Sequence, residues 1–272
     1  MNQILTVANK EFHDGLRNRW LVSITFIFAI LSLGLTYFGA AASGTIGVAS
    51  LATTIASLSS LAVFLIPLIA LLVSYDSFVG EQESGTLLLL LTYPISKSQL
   101  LLGKFVGQGS IIALATLLGF GTSAVLIAVN SNQSNIIPTF TLFIGSAILL
   151  GLSFTAIAYV ISLLVSEKSK AAGLALVTWF LFALVFDLAL LALLVGVDDG
   201  LSQQGLTQTM LLNPADIFRL INLTGLDNTE VTGALATALK SGFSVMQLLL
   251  SLIAWVVAPL VLAIAIFRGK SL

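Results

Sequence analysis

The sequence contains no cysteine and a single histidine, and charged residues occupy only 8% of its 272 positions. Without cysteine there is neither a disulfide framework nor a thiolate metal ligand, although this names no compartment. One imidazole, His13, supplies no clustered zinc or copper site, and Met1, Met210 and Met246 lack the spacing of a soft-metal ladder. No metal site and no catalytic group is therefore expected. A formal net charge of -1, with no basic stripe outside the flanks of the apolar runs, gives nucleic acid nothing to bind. Soluble domains carry about 25% charged residues, so the scarcity here argues against a water-soluble fold.

What is present is apolar and continuous. No acidic or basic side chain falls between Arg19 and Asp76, between Lys104 and Glu167, or between Lys240 and Arg268. Each gap is long enough to cross a bilayer, which takes about 20 apolar residues. The pattern predicts an all-α membrane protein with six spans: Trp20 to Phe38, a span within Leu51 to Ser74, Phe105 to Val129, Pro138 to Val165, Ala171 to Val195 and Gly242 to Phe267. The first run is longer than a signal-peptide core and reads as a retained span. Pro67 favours a kink in the second span and Pro138 opens the fourth. Gly39 to Gly47 and Asn130 to Asn135 read as turns. The long runs do not fit the alternating segments of about ten residues that build a porin-like barrel.

Between the spans lie three segments with character of their own. Residues 1–19 form an amphipathic helix, with Ile4, Ala8, Phe12 and Leu16 on one side, that either lies on the membrane or packs under the bundle. Residues 75–104 are mixed, and the leucine run Leu87 to Leu91 is too short to span; Ser96 is placed to cap the helical turn after it. Residues 196–240 are polar and long enough for one or two surface helices. With both termini inside, basic residues divide nine to two: Lys10, Arg17, Arg19, Lys97, Lys104, Lys168, Lys170, Arg268 and Lys270 against Arg219 and Lys240. The positive-inside rule favours that orientation. Asp198, Asp199, Asp216, Asp227 and Glu230 make the largest outer loop acidic.

Asp187 stands out as an acid within the fifth span, where insertion costs roughly 2.5–3.5 kcal/mol at a helix centre. It serves either conduction and gating or structural hydrogen bonding, and no intramembrane Lys or Arg offers an obvious partner. Gly103, Gly107 and Gly119 provide small surfaces for close helix packing. Gly269-Lys270-Ser271 looks like the end of a phosphate-binding loop, but the glycine required five residues earlier is Ile264. The chain thus shows no means of hydrolysing ATP itself.

Glu81-Gln82-Glu83-Ser84-Gly85-Thr86, then Tyr93-Pro94-Ile95-Ser96-Lys97 and Leu102-Gly103-Lys104, with Ala8-Asn9-Lys10-Glu11-Phe12 near the amino end, resemble in their order the permease subunits of type-2 ABC exporters. The six-span plan extends the resemblance over the whole chain and implies the ABC-2, type V exporter-like permease fold. Within the family, the amino-terminal pattern, the short first loop and Asn213-Pro214-Ala215-Asp216-Ile217-Phe218-Arg219 resemble permeases encoded with the accessory proteins of nitrous-oxide reductase maturation.

That resemblance implies a homodimer in a bacterial inner membrane, joined to two cytoplasmic ATPase subunits that hold ATP and Mg2+, to a periplasmic β-helical accessory protein, and to a copper chaperone. The implied task is assembly of a copper-sulfide centre, by sulfur-species export or mechanical control of a partner. Lys10, Glu11, Asp14, Arg17, Glu81, Glu83, Gly85, Thr86, Pro94, Ser96 and Lys97 would then bear on the ATPase. Asn213, Pro214, Asp216, Phe218 and Arg219 would meet the periplasmic partner. Export of another solute, lipid or peptide, or a non-conducting assembly scaffold, are the alternatives.

Overall fold

In the computed structural model, residues 3–17, 19–38, 50–130, 135–196, 203–224 and 243–270 are described, and these are overwhelmingly helical. Lipid offers the backbone no hydrogen-bond partner, so each span must satisfy its own N–H and C=O groups, which a helix does. The spans are α2 (Arg19–Phe38), α3 (Leu51–Ser74), α6 (Lys97–Asn130), α7 (Ile136–Leu164), a composite fifth span and α12 (Val245–Gly269). Five of the helical stretches are long and apolar enough to cross a membrane, and α2 adds a shorter apolar run, Ser23–Phe38. The expected turn Gly39 to Gly47, most of the turn after Asn130, and the outer-loop charges Asp198, Asp199, Asp227, Glu230 and Lys240 lie outside the described residues.

The central helix is α7, which packs against α3, α6 and α12 and is the most buried of the spans. Its polar residues are compatible with an apolar core because their hydroxyls bond back to their own helix: Ser153 to the Leu150 carbonyl at 2.7 Å and Thr155 to that of Gly151 at 3.0 Å. Hydroxyls also tie α2 to α6, where Ser32 and Thr36 meet Ser123. Pro67 is buried within an α3 that runs unbroken from Leu51 to Ser74.

The amino-terminal helix α1 (Gln3–Arg17) packs on α6. The approach is close because α6 presents glycines to it: a Cβ at Gly103 would lie 2.6 Å from that of Val7, and one at Gly107 would lie 2.8 Å from the Ala8 carbonyl oxygen. Leu5 and Leu16 remain exposed on α1. His13 is exposed too, with its ring nitrogen donating to the Asn9 carbonyl at 2.8 Å.

The structure revises the sequence reading in three places. The third span begins not near Phe105 but at Lys97, where Ser96 and Gln99 exchange side-chain and backbone bonds in a capping box. Lys97 to Lys104 are therefore the first turns of α6, and the separate part of the 75–104 segment is two short helices, α4 (Val79–Glu83) and α5 (Thr86–Leu91). Next, the fifth span is interrupted: α8 (Lys168–Phe180) passes through a π turn, Leu181–Val185, into α9 (Phe186–Gly196).

The largest revision concerns residues 203–224, which form not surface helices but a hairpin of α10 (Gln203–Met210) and α11 (Pro214–Leu223) that dips into the bundle. Its turn is fixed at mid-depth by two bonds of 3.0 Å: Trp255 Nε1, near the middle of α12, donates to the Leu211 carbonyl, and Asn213 Nδ2 donates to the carbonyl of Phe182, midway along the fifth span. From there α11 rises along α7, with Phe218 against Phe143 and Asn222 Nδ2 3.0 Å from Ser146 Oγ. The cause is composition: Ile217, Phe218, Leu220, Ile221 and Leu223 need a dry environment.

The glycine contacts predict a contrast between two positions on one helix. Gly107→Ala should lose about 1–3 kcal/mol through overpacking against α1, read as a lowered unfolding midpoint in detergent. Gly121→Ala, where an added Cβ meets nothing within 4 Å, should leave the midpoint unchanged.

Candidate functional site

The start of α1, the end of α12 and most of the basic residues among those described gather at one end of the bundle, the basic end. Its organiser is α4. Two of that helix's leading N–H groups, those of Phe78 and Val79, donate to Ser162 Oγ on α7 at 3.1 and 3.0 Å, so a partner helix supplies the cap that α4 lacks. The helix ends at Ser84, and Gly85 turns the chain with φ of 72°, a left-handed conformation that favours glycine. Thr86 then starts α5, its hydroxyl bonded to Ser84 Oγ at 2.8 Å.

Lys104, one turn below Gln108 on α6, is only 3% exposed and is answered from two helices. Its Nζ lies 2.7 Å from Glu81 Oε1 on α4 and 3.1 Å from Glu11 Oε1 on α1. Gln108 continues the stripe: its Nε2 donates to Ser77 Oγ at 2.8 Å and its Oε1 accepts from the buried Tyr159 hydroxyl at 3.1 Å. The second Glu81 oxygen is buried without a hydrogen-bond partner among the described residues. A polar cleft of about 340 Å³ opens beside these groups, lined also by Lys10, Asp76 and Lys168.

Further ties bring the other spans to α4. Lys168, first residue of α8, bonds Asp76 Oδ2 at 2.7 Å through its ammonium and Glu83 Oε1 at 2.6 Å through its backbone N–H. Lys270, just past α12, reaches Gln82 Oε1 at 2.8 Å and the Leu163 carbonyl at 3.0 Å, while Lys97 Nζ donates to the Lys270 carbonyl at 2.6 Å. Burial lowers the Lys270 ammonium below its ordinary pKa. For Lys10, partial burial pulls downward, but Glu11 and Asp14 outweigh it and the pKa rises. Movement of α4 cannot leave α1, α6, α7, α8 and α12 in place without breaking bonds, which makes the basic end a mechanical junction.

The residues expected to bear on an ATPase all fall at this end, in two groups. Glu11, Glu81 and Lys97 are partly buried and bonded to other helices or to the end of α12, whereas Lys10, Asp14, Arg17, Glu83, Gly85, Thr86, Pro94 and Ser96 are exposed; the Pro94 carbonyl accepts from Gln3 at 2.5 Å. The exposed tip is completed by Leu88, Leu89 and Tyr93, residues that sequence reasoning passed over. It also missed Lys104 as a pivot. The signal was present: a cation at the mouth of a charge-free run of 62 residues needs an acid nearby, and Glu81 and Glu11 were candidates.

In the far half of the bundle, Asp187 does have a partner. Arg219 Nη1 lies 3.0 and 2.8 Å from the two Asp187 oxygens and 2.9 Å from Asp216 Oδ1. Asn213 Nδ2 bonds the other Asp216 oxygen at 3.1 Å, and Asn213 Oδ1 caps α11 by accepting the Ala215 N–H. Asn213, Pro214, Asp216 and Phe218 are buried and Arg219 is largely so, and the bonds these residues make run within their own chain. The reason is electrostatic, because an acid in the fifth span draws the cation of the nearest inserted helix. Among the described residues no group of three or more His, Asp or Glu is arranged to hold a metal ion.

The family model described as "ABC-2 family transporter protein" matches residues 5–272. The chain is 51% identical over 273 residues to the "Probable ABC transporter permease protein NosY" of Pseudomonas aeruginosa, and 52% identical over 274 residues to the protein of the same name from Stutzerimonas stutzeri. In both comparisons 99% of each chain is covered.

Removing the pivot should be costly. Lys104→Ala leaves Glu11 and Glu81 facing each other without a cation and should lose about 3–5 kcal/mol, seen as a lowered unfolding midpoint in lipid nanodiscs. Lys104→Arg should recover much of that loss, and an unchanged midpoint for Lys104→Ala would remove the pivot from the junction.

Proposed function

The chain belongs to the ABC-2 transporter family and is a membrane permease that works with an ATPase, and on that premise we propose that it is the permease of an ATP-driven complex that assembles the copper-sulfide centre of nitrous-oxide reductase. The reading is supported by similarity over nearly the whole length to two permeases that carry the name NosY. Its mechanical content comes from one observation, the bonding of α4 to four other helices at the basic end, one of which passes the tie on to α1 through Lys104.

In this reading the basic end faces the cytoplasm of a bacterial cell and the permease forms a homodimer in the inner membrane. Two ATPase subunits carry ATP and Mg2+. Docking falls to the exposed tip, Leu88, Leu89 and Tyr93 with Glu83, Thr86 and Pro94, because Glu81 and Glu11 are occupied by Lys104. Closure of the ATPase pair pushes α5 and α4, and the ties to Lys104, Ser162, Lys168 and Lys270 spread the push over α6, α7, the fifth span and α12. The far end then acts on a periplasmic β-helical protein and a copper chaperone, or passes a sulfur species.

Two measurements test the reading. Leu89→Asp should reduce co-purification of the ATPase at least ten-fold while membrane insertion is unchanged; normal association would move the docking surface elsewhere. A strain lacking the permease should still make the reductase polypeptide but without its copper-sulfide centre, restored by the intact gene. A complete centre in that strain would point to export of another solute.

A further inference from the structure

The two halves of the fifth span belong to different packing units. In α8, Ala171 and Ala175 are buried in the core built on α3 and α7, and Trp179 Nε1 donates to the Phe64 carbonyl of α3 at 2.9 Å. In α9, Phe186 and Leu190 pack instead with Met210, Ile217 and Leu220 of the hairpin and with Leu248 of α12. The border between these units is the π turn Leu181–Val185, where the Phe186 N–H donates to the Leu181 carbonyl five residues back. Such a turn holds an extra residue relative to the α register, is rare, and occurs mostly as a single-turn bulge within an α-helix, where it can kink the axis.

What holds it is the hairpin, on both sides. Asn213 Nδ2 bonds the Phe182 carbonyl inside the turn, and Arg219 bonds Asp187 immediately beyond it. Asn213 is the more specific of the two, because the same side chain caps α11 and bonds Asp216.

We propose that Leu181–Val185 is a register joint in the fifth span and that Asn213 is the positioning residue that keeps it in the π form. When the Asn213 contact is released, the turn relaxes to α register. The far half, α9, rotates about its axis by up to about 100°, one residue's worth of a 3.6-residue turn, and carries Asp187 away from Arg219. The near half stays with α3 through Trp179 and with α4 through Lys168. A push at the basic end thereby becomes a rotation in the far half, a step that rests on the ATPase-driven reading above.

The absence of native cysteine makes the test direct. Single cysteines are placed in turn over residues 188–193 of α9 and 173–178 of α8, in the complete complex in vesicles, and their rates of modification by a thiol reagent are measured. The comparison is between nucleotide-free complex and complex trapped with ATP by a hydrolysis-blocked ATPase. The expected result is that the reactivity pattern over 188–193 moves by one residue between the two states, whereas that over 173–178 does not. An unmoved pattern in a complex that assembles and hydrolyses ATP overturns the joint.

Two variants complete the test. Asn213→Ser keeps an oxygen to cap α11 but cannot reach Phe182, and should show the shifted pattern without nucleotide; a variant that is merely less stable, with the parent's pattern, overturns the role of Asn213. Deleting Leu184 removes the extra residue and should abolish the shift while ATP hydrolysis continues. If no ATPase co-purifies, the drive assigned to the basic end falls, and the joint is judged on Asn213→Ser, which needs no nucleotide.

Discussion

A charge shielded from water must find its counter-charge within the protein, and that constraint organises both ends of this bundle. At the basic end it makes Lys104 draw Glu81 and Glu11 together, so that a helix from the amino terminus and a short helix from the second connection are held on α6. In the far half it makes Asp187 draw Arg219, and so fixes where the hairpin, whose apolar face is buried in the bundle, meets the fifth span. Hydrophobic burial supplies most of the cohesion, but it is the charges that determine which helix meets which.

The two ion clusters differ in how they constrain motion. Around Lys104 the ties run to many helices and reinforce one another, so the basic end moves as a unit. Around Arg219 the hairpin holds the fifth span at only two points, Phe182 inside the π turn and Asp187 just beyond it. A stiff receiver at one end and a thinly held latch at the other suit a permease whose partner ATPase pushes from one side.

Spans were legible in the sequence because lipid imposes one uniform rule, and the charge-free gaps after Arg19, Lys104 and Lys240 are where helices run. The family, too, was legible in the order of Glu81–Thr86 and Tyr93–Lys97. The hairpin was not, because Asp216 and Arg219 make its segment look like an exposed loop until Asp187, distant in sequence, is seen to claim the arginine. Nor was the π turn, since an extra helical residue in Leu181–Val185 leaves no trace in an apolar run. Local rules locate helices; pairing across the bundle needs the fold.

The most direct test of charge-driven insertion is a double-mutant cycle on the intramembrane pair, with Asp187→Asn and Arg219→Gln studied singly and together by reversible unfolding in lipid nanodiscs. If the hairpin is drawn in by charge, the double variant loses at least about 1 kcal/mol less than the two single losses combined, the coupling expected of residues in contact. Losses that add to within about 0.3 kcal/mol would mean that the carboxylate and the guanidinium act independently, and that the hairpin is held by its apolar face alone.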